Sequence, residues 1–450
     1  MSKDIRIKKG LDIKLIGDAS QTTSETKVSG VYAIQPENFH GIVPKLTAKV
    51  GAEVKAGDSL FYSKSDERIL FPSPVSGKVK EIIRGERRKV LEIRIEADAE
   101  LQFKDFAKKE ASKMTADEVK THLLDAGCWP FVKQRPYAIV ANPNQAPKEI
   151  FVSGFNSAPL AADLDYTLKG KEAELQAALT ALAKLTTGKV HVSISENSTL
   201  SPLKEIEGVE LHKLIGPHPV GNVSTQIASV SPINKGEVVW VVAAQDLVVI
   251  GELFLTGKFN AKRTLALTGA QFEKPKYVTA YPGAQIASLV KDNLQEENTR
   301  VISGNVLSGT QVALDGFLGY YDNQITAIPE GDDYEFFGWN KPVFNKVSTS
   351  RALTFSWLTP KKKFNLNTNT NGEHRAFVVT GSYEEVFPLD IYPMQLLKAC
   401  LYKDLDEMEA LGAYEVAPED FALTEFICVS KQPHQKIIRE GLDLMMEELG

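Results

Sequence analysis

Between Asp125 and Tyr137 the sequence DAGCWPFVKQRPY crowds Trp129, Phe131 and Tyr137 together with Lys133 and Arg135 around two prolines. Aromatic faces beside cations can cover a flat ring and hydrogen-bond its oxygens. The same composition also packs buried junctions between domains, so two readings stand side by side. Other reactive side chains are sparse. His212 and His218 flank a proline-rich turn six positions apart, and no carboxylate or cysteine follows closely enough in sequence to complete a metal set. Both histidines are therefore expected to be structural. Cys128, Cys400 and Cys428 are far apart and show no metal-ligand spacing, which suits a reducing compartment and argues against a disulfide framework or a zinc or iron–sulfur site.

The elements that must position these residues are easiest to read from Gly216 to Phe259. Glu237 to Ala244 (EVVWVVAA) is a β-branched and aromatic run of strand length, as expected of a strand buried on both faces. A helix opening at Asp246 follows, with Leu247, Ile250, Leu253 and Phe254 at helical spacing and Gly257 as its stop. Upstream, Tyr137 to Ala141 begins this α/β region, Lys171 to Leu185 is an amphipathic helix and Lys189 to Ser195 the next strand. That rhythm predicts a Rossmann-like parallel sheet over residues 101–262. The loop after the first strand lacks the G-x-G-x-x-G arrangement, so an ordinary NADH or nucleotide site is not expected there.

Before this region, residues 1–100 alternate short β-rich runs with Gly, Pro and Asp turns. From His40 onward they resemble a biotinyl or lipoyl carrier domain. The lysine that carriers modify would stand at Asp66, counting back from Gly77, with Lys64 two residues away. A carboxylate cannot form the carrier amide, so no covalent carrier lysine is expected and the domain reads as a β-sandwich for packing or docking. Arg84, Arg87, Arg88 and Lys89 cluster on the next hairpin. Residues 263–330 form an α+β unit similar to the soluble-ligand-binding β-grasp (SLBB-like) module. Residues 331–450 begin with an acidic aromatic junction, Asp332 to Trp339, and continue through a polar loop, Pro360 to His374. They end in a largely helical domain with helices at Gln395 to Leu411, Pro418 to Val429 and Gln435 to Leu449. The fold class expected is thus α/β and α+β multidomain.

The chain has 450 residues with a net charge of −6 and 43% apolar side chains, an ordinary soluble composition with no footprint for nucleic acid. Its first fifteen residues contain no uninterrupted hydrophobic stretch, so neither a signal peptide nor an anchor is expected. The most apolar window, Val238 to Leu255, carries Gln245, Asp246 and Glu252, whereas a spanning helix needs about 20 largely apolar residues.

From GLDIKLIGDA at Gly10 through PHPVGN at Pro217 and QDLVVIGELFLTGKF to PLDIYP at Pro388, the sequence resembles the A subunits of the bacterial Na+-translocating NADH:quinone reductases. The resemblance implies a peripheral subunit on the cytoplasmic face of the inner membrane, part of a six-subunit complex that passes electrons from NADH to quinone and exports Na+. It implies quinone as substrate, a membrane subunit carrying the quinone site as principal partner, and no activity alone. FMN, FAD, riboflavin and iron–sulfur centres are expected in partner subunits. Where iron–sulfur relatives carry a cysteine cluster, this sequence has only Cys428, and a cluster needs about four ligands. On this resemblance Trp129, Phe131, Arg135, Tyr137, Phe151, Phe155 and His218 are the candidate quinone contacts. The alternative is a purely structural docking subunit with no quinone contact.

Overall fold

The computed structural model describes residues 3–28, 30–295, 298–331, 336, 346–347 and 361–449. The chain does not build its first unit first. Strand β1 (Asp4–Arg6) pairs in parallel with a strand more than 200 residues downstream, and β2 (Ser20–Glu25) joins a third, separate sheet. Only then does the N-terminal unit form. Its strands β3 (Val31–Ile34), β4 (Pro44–Leu46), β5 (Glu53–Val54), β6 (Ser59–Ser63), β7 (Leu70–Pro72), β8 (Gly77–Arg84) and β9 (Val90–Ala97) make two small sheets, in the orders β3-β9-β8-β5 and β4-β6-β7. In β9 the buried Val90, Ile93 and Ile95 share the strand with the charged Glu92, Arg94 and Glu96, the near-alternation of a strand with one wet face. Phe61 of β6 and Phe71 of β7, directly opposite in their sheet, stack at 4.5 Å, with Phe39 edge-on to Phe71 at 4.4 Å.

Helix α1 (Ala116–Asp125) follows, opened by a capping box between Thr115 and Glu118. The chain then enters a seven-stranded sheet built from β10 (Val132–Arg135), β11 (Ile139–Val140), β12 (Ile150–Ser153), β13 (Val190–Ser195), β14 (Glu210–Ile215) and β15 (Val239–Val242) together with β1. The order is β1-β14-β13-β12-β15-β10-β11. The first five are parallel, and β10 and β11 form an antiparallel edge. Helices α2 (Leu164–Thr167), α3 (Glu172–Ala183), α4 (Val223–Val230) and α5 (Ala244–Thr256) lie between the strands in sequence. Strand β15 is shorter at its start than the apolar run EVVWVVAA because the Glu237 carboxylate accepts the Asn234 amide at 2.9 Å and folds that end into a turn. Helix α5 ends as expected, on Gly257 in the left-handed region at φ 75°.

The third sheet contains β16 (Arg263–Thr268), β17 (Lys276–Ala280), β18 (Thr299–Ser303), β19 (Thr310–Gln311) and β20 (Gln324–Pro329), with one short helix, α6 (Ile286–Val290). Its order is β19-β18-β20-β16-β17-β2, so the N-terminal strand closes its edge. A continuous apolar core runs through all three units, from Phe61 through Trp240 to Leu265.

The last elements are helices α7 (Ser382–Val386), α8 (Pro393–Tyr402), α9 (Leu405–Ala410), α10 (Ala422–Ile427) and α11 (His434–Leu449). The single helix expected over Gln395 to Leu411 is two. Lys403 adopts φ 60°, and Asp404 recaps the chain by accepting the Glu407 amide. The break shifts the helical phase, leaving Leu401 exposed while Leu397, Cys400 and Met408 stay buried. Most of the acidic junction Asp332 to Trp339 lies outside the described residues. The polar loop after Pro360 makes one parallel bridge, between Phe364 and Leu15.

Candidate functional site

Strands β12, β13 and β14 step across the sheet in one direction, whereas β15 returns to the other side of β12. The order of the parallel strands therefore reverses between β12 and β15, and the loops leaving these two strands diverge. In open parallel sheets this reversal leaves a crevice at the carboxyl ends of the strands, where ligands bind. A cleft of about 320 Å³ opens there. Ser153 and Phe155 line it from the end of β12, Val241 to Asp246 from β15 and the start of α5, and Lys133 and Arg135 from β10. Gly304, Tyr321 and Asp322 of the third sheet unit face them, and Glu419 and Ala422 of the C-terminal helices form a further wall.

Four of the seven residues chosen from the sequence meet in this cleft: Phe131, Arg135, Phe155 and His218. Phe131 stacks on Tyr320 at 5.7 Å, and its neighbour Phe259 lies at 6.1 Å. Arg135 is 6% exposed; its Nη2 donates to Glu419 Oε1 at 2.8 Å, and its buried Nη1 has no protein partner. His218 Nδ1 lies 2.9 Å from Ser157 Oγ, which also accepts the Gly221 amide at 2.8 Å. Burial depresses the His218 pKa to about 4, so its ring is neutral at ordinary pH.

The other three lie elsewhere. Trp129 is fully buried, its indole N–H donating to the Ala141 carbonyl at 2.7 Å, edge-on to Trp240 at 5.3 Å. Phe151 is also fully buried; it stacks on His191 at 4.8 Å and packs in the core with Val223 and Ile227 of α4. Tyr137 packs into the core of the C-terminal helices. The stretch Trp129 to Tyr137 is thus a buried seam between units rather than an aromatic surface. Of its two readings, the junction holds for its ends and the cleft for its middle.

The floor of the cleft is charged. Asp246 and Arg263 form an ion pair at 3.0 Å with both side chains almost fully buried, and burial raises the Asp246 pKa against the opposing effect of Arg263. Asp322 accepts the Ser303 hydroxyl at 2.5 Å, and burial raises its pKa too. The Lys133 ammonium sits 3.6 Å from the centre of the Tyr321 ring. Burial lowers the Lys133 pKa, opposed chiefly by Asp246.

Away from the cleft, the histidines behave as structural groups. His212 faces His191 at 2.9 Å and accepts the Lys3 amide at 3.0 Å, which fastens β1 to the sheet. His212 and His218 do not meet. Among the described residues no cluster of three or more His, Cys, Asp or Glu side chains is arranged to hold a metal ion. At the hairpin tip of the N-terminal unit, Asp66 takes a bidentate pair from Arg68 at 2.9 and 2.6 Å, and Arg68 also reaches Asn144 at 2.7 Å. The carrier position is therefore a docking clip between units, and Arg68 holds the Asp66 pKa below its ordinary value.

Comparison with known proteins fixes the family. Residues 114–259 match the model of the NqrA second alpha/beta domain, residues 5–98 that of the NqrA N-terminal barrel-sandwich hybrid domain, and residues 264–313 that of the NQRA C-terminal domain of SLBB type. The A subunit of the Na(+)-translocating NADH-quinone reductase of Yersinia pestis bv. Antiqua is 36% identical over 99% of this chain and 100% of its own length. This chain belongs to the family of those A subunits. The corresponding protein of Neisseria meningitidis serogroup A is likewise 36% identical over 99% of this chain and 100% of its own, and that of Vibrio atlanticus 36% over the same shares. A chain of an NAD+-reducing [NiFe]-hydrogenase in the air-oxidized state aligns over 49% of this chain and 47% of its own, at 14% identity and a TM-score of 0.36. Family membership accords with the resemblance read from PHPVGN and its flanking segments, and with the barrel-sandwich and SLBB-type units. Among the described residues no helix is long and apolar enough to cross a membrane.

Sequence reasoning named Lys133 as a cation of the aromatic stretch but left it out of the candidate contacts, and passed over Tyr321, Asp246 and Asp322. For Lys133 a signal existed: in a strand, positions two apart share a face, so choosing Arg135 implied Lys133. Tyr321 and Asp322 gave none, because the third unit is brought to the cleft only by packing between units.

Proposed function

We propose that this chain is a peripheral subunit of a Na+-translocating NADH:quinone reductase, on the cytoplasmic face of the inner membrane, and that its cleft contacts the quinone head. The observation that supports this most is the convergence of Phe131, Arg135, Phe155 and His218 at the reversal of a Rossmann-like strand order. Phe131, Phe155 and Val241 supply apolar walls for a ring, and the unpaired Arg135 Nη1 supplies a donor for a carbonyl oxygen. Flavins, iron–sulfur centres and the Na+ path belong to partner subunits, and the chain is inactive by itself.

A docking role without quinone contact is favoured by one observation: Trp129, Tyr137 and Phe151 are committed to cores and lie off the cleft. Calorimetric titration of the full chain with a short-tail quinone separates the two readings. Saturable binding at one site, weakened about tenfold by Phe155→Ala, is expected from loss of an aromatic wall worth roughly 1.4 kcal/mol. Absence of heat at several temperatures would leave docking as the function.

A further inference from the structure

Strand β10 presents two cations to the cleft and hides its other two side chains. Val132 is fully buried, and Gln134 turns away to accept the Asn142 amide at 2.8 Å. Lys133 and Arg135, two apart, therefore share the cleft face, opposite Val241 and Val239 of β15. Their circumstances differ. Arg135 is anchored by Glu419. Among the described residues no carboxylate lies within 4.0 Å of the Lys133 ammonium. The nearby carboxylates are already engaged, Asp246 by Arg263 and Asp322 by the Ser303 hydroxyl.

What holds Lys133 is a ring. Its ammonium lies 3.6 Å from the centre of Tyr321, and the Tyr321 hydroxyl donates to the Pro130 carbonyl at 2.6 Å, so the ring is fixed in place. A cation seated on a ring face keeps N–H donors directed away from the ring. Beside it, the buried Nη1 of Arg135 also lacks a protein partner. Two donors on one strand face, one of them nine-tenths buried and unmatched, are complementary to an oxygen that is negatively charged.

We propose that Lys133 is the ligand-facing cation of this cleft, binding an anionic oxygen on a flat ring with Arg135 Nη1 as second donor, so that the cleft prefers the oxyanion form of a quinone-type ligand over its neutral form. The inference rests on the quinone reading of the cleft and adds the charge state it selects. The Lys133 hydrogen bond is charge-assisted to either form, but only an anionic oxygen adds a charge–charge attraction, and the partly desolvated setting enlarges that difference. Lys133 positions the ring through that oxygen; no proton or electron transfer is assigned to it.

The test uses the full chain and two probes of nearly equal shape: 2-hydroxy-1,4-naphthoquinone, an anion at neutral pH, and uncharged 1,4-naphthoquinone. The wild-type chain is expected to bind the anion about tenfold or more tightly than the neutral ring. Lys133→Met should weaken both probes but the anion about tenfold more than the neutral ring, abolishing that preference, and Lys133→Arg, which keeps the charge, should retain it. Equal affinity for both probes in the wild type overturns the inference and leaves the quinone reading standing. A preference that survives Lys133→Met but is lost in Arg135→Met overturns the assignment to Lys133. Failure of both probes to bind overturns the quinone reading and the inference with it.

Discussion

Arg135 and Glu419 are 284 positions apart in sequence and 2.8 Å apart in space. Their pair ties the antiparallel edge of the central sheet to the C-terminal helices, across one end of the cleft. The two partners are unequally placed, since the Arg135 side chain is 7% exposed and that of Glu419 is 47% exposed. Asn222 adds a weaker tie, its amide reaching the Glu419 carbonyl at 3.4 Å and Asp420 Oδ1 at 3.3 Å.

Because the arginine is the buried member, removing the glutamate should cost more than the solvated carboxylate itself is worth. Glu419→Ala leaves a desolvated guanidinium with both Nη atoms unmatched, and a loss of about 2 kcal/mol is expected. In Arg135→Met with Glu419→Ala, part of that loss should return, a coupling of roughly 1 kcal/mol. Denaturant melts of the two single variants and the double variant measure it. Simple additivity would mean that the pair does not hold the helices to the sheet.

Helices α3 and α5 pack so closely that their backbones nearly touch. A Cβ built on Gly251 would stand 1.9 Å from the Glu174 carbonyl oxygen, with Glu174 Cα at 2.6 Å. Nothing at that contact is a flexible side-chain end, so Gly251→Ala must push one helix off the other. We expect a loss of about 3 kcal/mol, against the gain of roughly 0.5–1 kcal/mol that alanine brings to an open helix interior. A thermal midpoint unchanged or raised by this substitution would show that the interface yields.

Buried histidines contribute to the acid limb of stability, His122, His218 and His434 most strongly. Burial pushes His122, His218 and His434 down to about 4 in the folded chain, from an ordinary value of 6.5. Between those values the unfolded chain takes up protons that the folded chain refuses. Stability is therefore full above pH 6.5 and falls as pH drops toward 4. Each histidine contributes on the order of 1–3 kcal/mol to that fall. Melting His122→Gln across this range should give a shallower slope than the wild type, while parallel curves would exclude His122 from the titration.

Much of this architecture could be read from local pattern. The apolar run before Ala244, the helical spacing of Leu247, Ile250 and Leu253 and the stop at Gly257 specify β15 and α5, because strand and helix periodicities and a left-handed glycine are properties of neighbouring residues. That Asp66 puts a carboxylate where carrier domains hold a lysine was legible in the same way. Local pattern did not separate α8 from α9, since Lys403 carries no mark of the left-handed turn that breaks them.

The sequence by itself determined the types and order of most elements, the family, and which side chains are able to meet a ring or an oxygen. Tertiary structure alone decided which of them do. It sent Asp4–Arg6 and Ser20–Glu25 into two different sheets. It buried Trp129, Tyr137 and Phe151 in cores, and gathered Lys133, Arg135, Phe155, His218, Tyr321 and Glu419 around one cleft. The physical reason is that the direction of a side chain along a strand is fixed by its neighbours in sequence, whereas what it faces is fixed by strand order and packing between units, where partners hundreds of residues apart compete for the same face.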